Sequence, residues 1–396
     1  MNDASQIYDT AVIGGGPAGL TAAIALAATG AKTALLARRV PYADNRTTAL
    51  LGASTELLER LDVWSRCYDK AAALRTMRLV DDTGRLIRAP EVRFTSEEIG
   101  LDQFGYNIAN RSLMVALEAR ASELSNLTRI DDEAATIDPQ DASVAIETAK
   151  GERLFARLVV GADGRQSPSR AAAGIGVKRR DLHQSALTFN ISHTRPHNGI
   201  STEFHTAQGP CVFVPLPGHR CSVVWVATTR EAERLMALDD AELSEAAERQ
   251  SHSILGRVQV EAGRSVFPLR IERPDKFASH RVALVGESAH VVPPIGAQGL
   301  NMGLRDAADI AEIAGHAISL GEDPGSPAVL ARYQSARRAD VASRLIAIDV
   351  ANRSLLSDFV GLQSLRAAGM HLLASFGPLR RLAMREGLAP SWKRVS

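Results

Sequence analysis

Near its amino terminus the chain reads Tyr8-Asp-Thr-Ala-Val-Ile-Gly14-Gly-Gly16-Pro-Ala-Gly19. An apolar segment rich in β-forming residues comes first, and apolar side chains recur at helical spacing after the glycines. Between the predicted strand and helix the glycines follow the pattern G-x-G-x-x-G. Gly14 permits a sharp turn, Gly16 lets backbone amides approach a pyrophosphate, and Gly19 lets the helix pack closely on the strand. The stretch therefore predicts a Rossmann-like dinucleotide-binding unit.

The second predicted strand, Lys32 to Ala37, ends without the acid that usually binds the adenosine ribose in such units. Ala37 occupies that position, and Arg38 and Arg39 follow it. Either the arginines contact the ribose or a phosphate, or main chain and water serve the ribose while both arginines are solvated. The second interpretation is preferred, and Arg38 stays a candidate contact.

A second strand-turn-helix signal lies between Arg157 and Arg170. A predicted buried strand runs into Asp163-Gly164, where the carboxylate can accept hydrogen bonds from hydroxyl groups or water. Ser167 is placed to cap the helix that follows. Asp-Gly turns are common and mostly structural, so this motif gains its weight from its pairing with the first.

A third motif, VALVGESAHVVPPIGAQGLNMGLRDA, occupies Val282 to Ala307. A predicted buried strand is followed by Glu287, two prolines and a glycine-containing turn, and helical spacing begins near Asn301. Backbone amides of the turn would point at a ligand above the strand ends, assisted by the positive end of the helix dipole. Such a site suits a group that becomes anionic.

Composition limits the alternatives. The chain has 396 residues, of which 45% are hydrophobic, enough for two domains or one large domain with an insertion. A net charge of +1 gives no global field for nucleic acid, so nucleic-acid binding is not expected. The three cysteines lack C-x-x-C spacing, and the first residues lack the order of a signal peptide. We therefore expect a cytoplasmic protein with buried, reduced cysteines.

Together the three motifs resemble the FAD-dependent aromatic hydroxylases typified by para-hydroxybenzoate hydroxylase, and within them the ubiquinone-biosynthesis hydroxylases. Supporting pieces recur almost end to end, among them Arg46-Thr-Thr-Ala-Leu50, Asn110-Arg111 and Glu203-Phe204. The resemblance implies FAD as the cofactor. From the motifs and the resemblance together, FAD contacts are predicted for Gly14, Gly16, Ala18, Gly19, Arg38, Arg46, Arg111, Asp163, Gly164, Glu287, Gly296, Gln298, Gly299, Leu300 and Asn301.

Two positions depart from the family pattern. The family usually has Gly-Asp where this chain has Gly286-Glu287, and Ala-Gly-Gln-Gly where it has Gly296-Ala-Gln-Gly299. Glutamate keeps the carboxylate, so its hydrogen bond to the ribityl chain is expected to survive with shifted geometry. Moving the glycine one place earlier is expected to move the residue that adopts positive φ with it.

The resemblance implies an FAD-dependent NAD(P)H monooxygenase. NAD(P)H would reduce the flavin, O2 would add to give a C4a-hydroperoxide, and the aromatic ring of a polyprenylated phenol in ubiquinone biosynthesis would be hydroxylated. The alternatives are a soluble aromatic-compound hydroxylase of the same class and a non-hydroxylating FAD-dependent reductase. No second G-x-G-x-x-G occurs, so NAD(P)H would bind transiently or an external protein would donate electrons.

No protein base for the substrate phenol stands out, and the catalytic residues are unknown from the sequence. Pro293 and Pro294 would form a rigid wall beside the flavin ring. His290 is a further flavin-adjacent candidate, although a structural histidine bonded to backbone is the preferred interpretation. His193 and His197 have the spacing of metal ligands but lack nearby acids, so no metal site is predicted.

The texture of the sequence changes in the middle of the chain. Residues 181–270 alternate as in a mixed or antiparallel sheet, interrupted by one acidic helix from Ala237 to Ser253. The predicted fold is therefore α/β. A discontinuous Rossmann-like FAD-binding domain (1–180 and 271–325) carries an inserted β-sheet substrate domain (181–270), and a helical region (326–396) follows.

The carboxy-terminal region is basic and amphipathic. From Val329 to Ser396 there are eleven Lys or Arg and four Asp or Glu. The region is either a core-packing segment with solvated arginines or a surface that lies on anionic lipid, and a polyprenylated substrate favours the second. Contact with the inner face of the membrane and membership of a biosynthetic complex are therefore partner hypotheses. The apolar residues at helical spacing are Leu355, Phe359, Leu362, Leu372, Leu373 and Phe376.

Overall fold

The structure, a computed structural model, describes residues 7–39, 42, 45–85, 88–356 and 360–388. Side chains are described for the same residues except 346–356, 360–366, 374, 387 and 388. The strands are β1 (Ile7–Ile13), β2 (Thr33–Leu36), β3 (Thr47–Leu51), β4 (Ala71–Leu74), β5 (Thr76–Asp81), β6 (Val92–Thr95), β7 (Gly105–Ala109), β8 (Leu127–Ile130), β9 (Ala134–Pro139), β10 (Val144–Thr148), β11 (Arg153–Gly161), β12 (Val177–His193), β13 (Ile200–Thr206), β14 (Gly209–Leu216), β15 (Arg220–Thr228), β16 (Val258–Val260), β17 (Ser265–Pro274), β18 (Ala278–Ser279) and β19 (Val282–Leu284). The helices are α1 (Pro17–Ala28), α2 (Gly52–Arg60), α3 (Asn110–Glu123), α4 (Pro168–Ala172), α5 (Thr229–Ala237), α6 (Asp240–Gln250), α7 (Gln298–Ser319), α8 (Pro327–Leu356), α9 (Val360–Ser375) and α10 (Gly377–Leu388).

The first sheet carries the amino-terminal motif and is parallel through its centre. Its strands run in the order β18-β19-β11-β1-β2-β8, and β10 and β9 extend it beside β11. β1 pairs in parallel with both β2 and β11, so the carboxyl ends of these strands lie at one edge. α1 and α7 pack on each other, and their apolar side chains join the strands in the largest hydrophobic core. The predicted Rossmann-like α/β unit is confirmed.

The turn from β1 to α1 requires glycine at two positions. Gly14 has φ +113°, and a Cβ there would lie 2.2 Å from the carbonyl oxygen of Ala162. A Cβ at Gly19 would lie 2.1 Å from the carbonyl oxygen of Gly14. A side chain at either position would therefore push α1 away from the strands.

The second sheet has the order β16-β12-β15-β14-β13-β5-β6, with β17 also paired to β12. Its central pairs are antiparallel, whereas β13 and β5 run parallel. The predicted mixed sheet is confirmed. β5 and β6 join it from the first hundred residues, which the predicted boundaries assign to the other domain, and those boundaries remain a prediction.

The acidic helix predicted from Ala237 to Ser253 is present as the shorter α6, but it is not the single helix of this region, because α5 precedes it and was not predicted. Leu238 and Asp239 separate the two helices. The Glu242 backbone N–H donates to the Asp239 carboxylate at 2.8 Å, and the Asp239 N–H donates to the Glu242 carboxylate at 3.0 Å. This capping box begins a new helix inside a stretch whose composition favours helix throughout.

A small antiparallel sheet, β3-β7-β4, joins the two larger units. From β7, Asn107 Nδ2 donates to the Pro215 carbonyl of the second sheet at 2.9 Å. From β3, the Leu51 N–H donates to Asn301 Oδ1 of α7 at 3.0 Å. The small sheet is thus hydrogen-bonded to both sides of the molecule.

The last three helices lie across both units. α8 packs on α7, α9 contacts β6, and α10 contacts the turn at Ser96–Ile99. Within the part of the chain that the structure describes, no helix has the length and apolarity needed to cross a membrane. Leu355, Phe359 and Leu362, predicted amphipathic positions, lie outside the described side chains.

Candidate active site

A large cavity, of about 1250 Å³, lies between the carboxyl ends of the parallel strands and one face of the second sheet. The three sequence motifs, far apart in the chain, meet on its wall. The candidate cofactor residues that line it are Gly14, Gly16, Ala18, Gly19, Arg38, Arg46, Arg111, Asp163, Gly164, Glu287, Gly296, Gln298, Gly299 and Leu300. The structure thus brings together every predicted contact except Asn301.

The amino terminus of α1 opens on this cavity without a side-chain cap. Gly16 is the N-cap, and the first turn holds no acidic residue. A Cβ built on Gly16 would meet no atom within 4 Å. The first backbone N–H groups and the helix dipole are therefore left for a ligand, an arrangement that binds anions such as pyrophosphate.

The amino terminus of α7 is a second helix end on the cavity. Its N-cap is Ala297, again without a side-chain cap and without an acidic residue in the first turn. Gln298 Nε2 donates to the Gly296 carbonyl at 2.9 Å, but the buried Gln298 Oε1 has no hydrogen-bond partner among the described residues. A buried acceptor left without a donor costs free energy, so this oxygen fits a ligand that carries N–H or O–H groups.

The turn before α7 differs from the prediction that positive φ moves with the glycine to position 296. Gly296 has φ +62° and Ala297 has φ +54°, so the left-handed conformation extends over both residues instead of moving to the glycine. Asn301 Nδ2 donates to the Ala297 carbonyl at 2.6 Å and so holds this backbone in place. Because a Cβ disfavours left-handed backbone by about 1–2 kcal/mol, Ala297 is strained.

Asn301 and Pro293 do not line the cavity. The Asn301 side chain is fully buried and bonds β3, accepting from the Leu51 N–H and donating to the Ala49 carbonyl at 2.8 Å. Pro293 is buried behind the turn, whereas Pro294 lies on the cavity wall. Asn301 therefore fixes α7 against β3, and of the two prolines only Pro294 is placed to contact a ligand.

Asp163 is engaged within its own turn. Ser167 Oγ donates to one carboxylate oxygen, and the Ser169 N–H donates to the other at 2.8 Å. Ser167 also accepts from the Arg170 N–H at 2.9 Å, which confirms it as the helix cap. The buried Arg170 guanidinium donates to the Ser288 carbonyl at 2.9 Å, and so the second motif is tied to the third.

Two exposed ion pairs stand at the rim. Glu287 Oε1 lies 3.1 Å from Arg165 Nη2, and Arg38 Nη2 lies 2.7 Å from Glu133 Oε1. The Glu287 and Arg38 side chains are 57% and 63% exposed, and pairs this exposed contribute little to stability. Both pairs can therefore exchange partners with a bound ligand.

His290 lines the cavity and is held from behind by a buried carboxylate. Its Nε2 lies 2.7 Å from Asp306 Oδ2, which also accepts from the Gly286 N–H at 2.9 Å. The predicted backbone partner for this histidine is therefore wrong. Burial alone would raise the pKa of Asp306, but Arg337 and His290 hold it well below its usual range.

Arg337, fully buried on α8, extends this network. Its nitrogens lie 2.5 Å from Asp306, 2.7 Å from Asp309 and 2.9 Å from Asp340. Burial alone would lower the pKa of Arg337, but the three carboxylates raise it above its usual value. The network runs from the cavity wall through α7 to α8.

The opposite wall is one face of the second sheet. Cross-strand register places Glu203 of β13 beside Leu79 and Val212, and Val212 beside Val224. This half of the cavity is largely apolar and suits a flat ring held by few polar groups. Further residues on this wall are Met77, Phe94, Thr188, Asn190, Ser201, Val214, Ser222, Phe267 and Leu269.

His193 and His197 lie together, with ring centroids 5.7 Å apart. His197 is engaged through both ring nitrogens, with Nε2 3.0 Å from the Leu216 carbonyl and Nδ1 accepting from the Gly199 N–H at 3.1 Å. Among the described residues no group of His, Cys, Asp or Glu side chains has the geometry of a metal site.

Comparison with known proteins places the chain in a family. Residues 7–348 match the family described as FAD binding domain. Over 392 residues the chain is 32% identical to the ubiquinone hydroxylase UbiL of Rhodospirillum rubrum, covering 97% of this chain and 90% of that protein. This chain belongs to the FAD-dependent ubiquinone hydroxylases.

Two further proteins resemble this hydroxylase over nearly its whole length. The 3-demethoxyubiquinol 3-hydroxylase of Escherichia coli is 29% identical over 392 residues, covering 97% of this chain and 99% of that protein. The structure of p-nitrophenol 4-monooxygenase PnpA from Pseudomonas putida has a TM-score of 0.79 at 20% identity, covering 96% and 98% of the two chains. The hydroxylase is therefore an FAD-dependent monooxygenase, and two uncapped helix ends and a buried orphan acceptor in its cavity fit that cofactor.

Asp306, Arg165 and Glu133 received no role from the sequence. Asp306 could have been found, because it falls on the buried face of α7 among apolar residues, where a carboxylate needs a partner. Arg165 and Glu133 carry no such signal. Their pairs with Glu287 and Arg38 arise only when distant segments meet at the rim.

Proposed function

We propose that the hydroxylase binds FAD along the first-sheet half of the cavity and hydroxylates the ring of a polyprenylated phenol of ubiquinone biosynthesis in the other half. NAD(P)H is the reductant and O2 the co-substrate. The observation that carries the proposal is the composition of the cavity, in which two uncapped helix ends and an apolar sheet face share one space. Relatives named as ubiquinone hydroxylases support the substrate class.

The first-sheet half holds the cofactor in this proposal. The amides at Gly16 would hold the pyrophosphate, and the amides from Gly296 to Leu300 would hold the flavin ring. Gln298 Oε1 would accept a hydrogen bond from the cofactor, and Glu287 at the rim would bind its ribityl hydroxyls. FAD, when bound, supplies the redox chemistry that activates oxygen. The amides at the α7 terminus would stabilise negative charge on a bound flavin because their dipoles are already oriented.

The second-sheet half orients the phenol and excludes water. Leu79, Val212 and Val224 present an apolar face, and Ala383 and Met384 of α10 also line the cavity. Removing water strengthens the electrostatic interactions of the site and protects reactive species from side reactions. An apolar wall of this kind also suits a substrate with a hydrocarbon chain.

We also infer that the hydroxylase contacts anionic lipid through a C-terminal apolar patch formed by α9, α10 and the residue between them. Leu372, Phe376 and Leu382 of this patch are each 56% exposed. The exposed Arg381 and Arg385 lie on α10, as Leu382 does. Met384 of that helix is buried and lines the cavity. A bilayer at the patch would therefore adjoin the cavity wall, as a lipophilic substrate requires. The patch consists of Leu372, Phe376, Leu379 and Leu382.

The proposal is tested with purified, FAD-loaded protein and a short-chain prenylated phenol. We expect the phenol to stimulate NAD(P)H oxidation and to yield a ring-hydroxylated product by mass spectrometry. Val212→Trp, which fills the sheet face, should keep FAD and lose both effects. NAD(P)H oxidation without any hydroxylated phenol would instead favour an FAD-dependent reductase.

A further inference from the structure

One carboxylate stands on the apolar sheet face of the cavity. Glu203 lies on β13, and its cross-strand neighbours on that face are Leu79 of β5 and Val212 of β14. Among the described residues of this face Glu203 is the sole acidic one. A carboxylate among apolar side chains costs free energy of desolvation, so its presence requires a reason.

His205 holds this carboxylate in place. The two residues are two positions apart on one strand, so their side chains lie on the same face. His205 Nε2 donates to Glu203 Oε1 at 2.9 Å, and the side chains of Glu203 and His205 are 18% and 12% exposed. Oε1 of Glu203 is therefore held by His205, which leaves Oε2 as the oxygen for a ligand in the cavity.

Arg78, the cationic residue of the adjoining strand, also lines the cavity, but its described hydrogen bonds go to Thr202 and not to Glu203. Arg78 of β5 donates through Nε and Nη2 to Thr202 Oγ1, at 3.2 and 2.9 Å. Thr202 neighbours Glu203 on the strand and points to the opposite face. On the other side, β14 presents Val212 and Val214 to the cavity, neither of which titrates. Glu203 thus faces the cavity with His205 as its described ionisable partner.

We propose that Glu203 accepts the phenolic proton of the substrate. This inference rests on the proposed function and supplies the base that the sequence did not reveal. The phenol O–H bond breaks, the proton joins Glu203 Oε2, and the electron pair stays on the ring oxygen. The resulting phenolate is richer in electrons at its ortho and para carbons, where hydroxylation occurs. After the new C–O bond forms, the ring regains its aromaticity by losing the displaced C–H proton to solvent, and Glu203 returns its proton to the ring oxygen, so Glu203 itself ends the cycle unchanged.

Glu203→Gln is the direct test, because glutamine keeps the size and the acceptor oxygen for His205 but cannot take a proton. FAD content, thermal stability and flavin reduction should match those of the wild type. Hydroxylation at pH 7 should fall about 100-fold, the usual scale for removing a general base. The variant should recover as the pH approaches the phenol pKa of about 10, and more acidic fluorinated phenols should restore its rate at lower pH.

Three further variants separate loss of the base from other effects. Glu203→Asp keeps a carboxylate and should show a reduced rate without the dependence on phenol acidity. His205→Ala removes the positioning contact and should lower the amount of product formed per NAD(P)H oxidised. Glu245→Gln, an exposed carboxylate on α6 of the same unit, should behave as the wild type.

Two results overturn the inference while leaving the proposed function intact. One is a Glu203→Gln variant that hydroxylates at the wild-type rate at pH 7. The other is a variant that is equally slow at every pH and with every phenol, which indicates a structural role. A wild-type protein that forms no hydroxylated phenol would overturn the proposed function, and this inference with it.

Discussion

Gly16 shows how one residue can report on the cofactor without disturbing the fold. Its backbone, at φ −70° and ψ 173°, is allowed for any residue, and a Cβ there meets no protein atom. Gly16→Ala should therefore leave the stability of the apoprotein unchanged and weaken FAD binding at least tenfold, because the methyl group occupies the approach of the pyrophosphate. Flavin fluorescence titration and thermal melting measure the two effects.

Gly369→Ala is the control for that experiment, since its Cβ also meets no atom and it lies on α9, away from the cavity lining. It should bind FAD as the wild type does. If Gly16→Ala bound FAD equally well, the pyrophosphate would not lie at the α1 terminus.

Ala297 is a residue whose backbone opposes its side chain. Ala297→Gly removes the Cβ from a left-handed position and should stabilise the protein by about 0.5–1 kcal/mol after the greater chain entropy of glycine is subtracted. Ala308→Gly, in the interior of the helix α7 that Ala297 precedes, should destabilise the protein by about 1 kcal/mol. Urea unfolding of both variants is the measurement, and destabilisation by Ala297→Gly would contradict the strain.

Asp306 is the buried acid on which the α7–α8 network depends. Because its pKa is held below the unfolded value, its stabilisation is full above about pH 4 and is lost as the pH falls further. Asp306→Asn should cost about 3–5 kcal/mol at pH 7 by leaving Arg337 with one fewer carboxylate. Its unfolding free energy should also fall less steeply than the wild type's below pH 4. An unchanged stability at pH 7 would show that Asp309 and Asp340 suffice.

The sequence correctly predicted the roles of single residues when those roles depend only on neighbours in the chain. Gly14 and Gly19 belong to one local turn, and Ser167 caps its own helix. Asp306 and Glu203 act through partners or surfaces that come from other elements, so their environments could not be read from spacing alone.

Among the elements, α9 and α10 carry the proposed membrane contact. Replacing Phe376 and Leu382 together by serine removes two large apolar side chains from the C-terminal apolar patch. Burying each side chain in a membrane contributes about 1.5–3 kcal/mol to the binding free energy. Binding to anionic vesicles should therefore fall at least tenfold. Flotation assays measure it.

Leu320→Ser is the matched control, because Leu320 is 61% exposed but lies at the end of α7 outside the patch. It should float with vesicles as the wild type does. Equal flotation of the double variant, or no flotation of the wild type, would contradict the membrane contact.

Element types were predicted better than element ends. Hydrophobic periodicity located β1, α1 and α7 because each buries one continuous apolar pattern. Helix α5 was not predicted, and α6 was predicted to start at Ala237 instead of Asp240, because its start depends on a capping box, Asp239 with Glu242, inside a helix-favouring composition. The left-handed turn before α7 was also misplaced, since Asn301 and β3 hold it from outside the segment.

The whole molecule is a cavity closed by parts from distant regions of the chain. The glycine motif and the alternating strands predicted the two sheets, and the motifs together with the resemblance to flavin hydroxylases predicted fourteen of the residues that line the cavity. The sequence did not show that β5 and β6 complete the second sheet, because the parallel pairing of β13 with β5 joins segments more than one hundred residues apart. Nor did it show that α10 lines the same cavity.

The proposed function requires that oxygen from O2 enters the ring of a phenol bound in this cavity. The most direct measurement is mass spectrometry of the product formed under ¹⁸O2 from FAD-loaded protein, NAD(P)H and a short-chain prenylated phenol. We expect one ¹⁸O atom in each hydroxylated ring and none when only the water is labelled. Unmodified phenol with hydrogen peroxide as the product, or a ring oxygen derived from water, would contradict it.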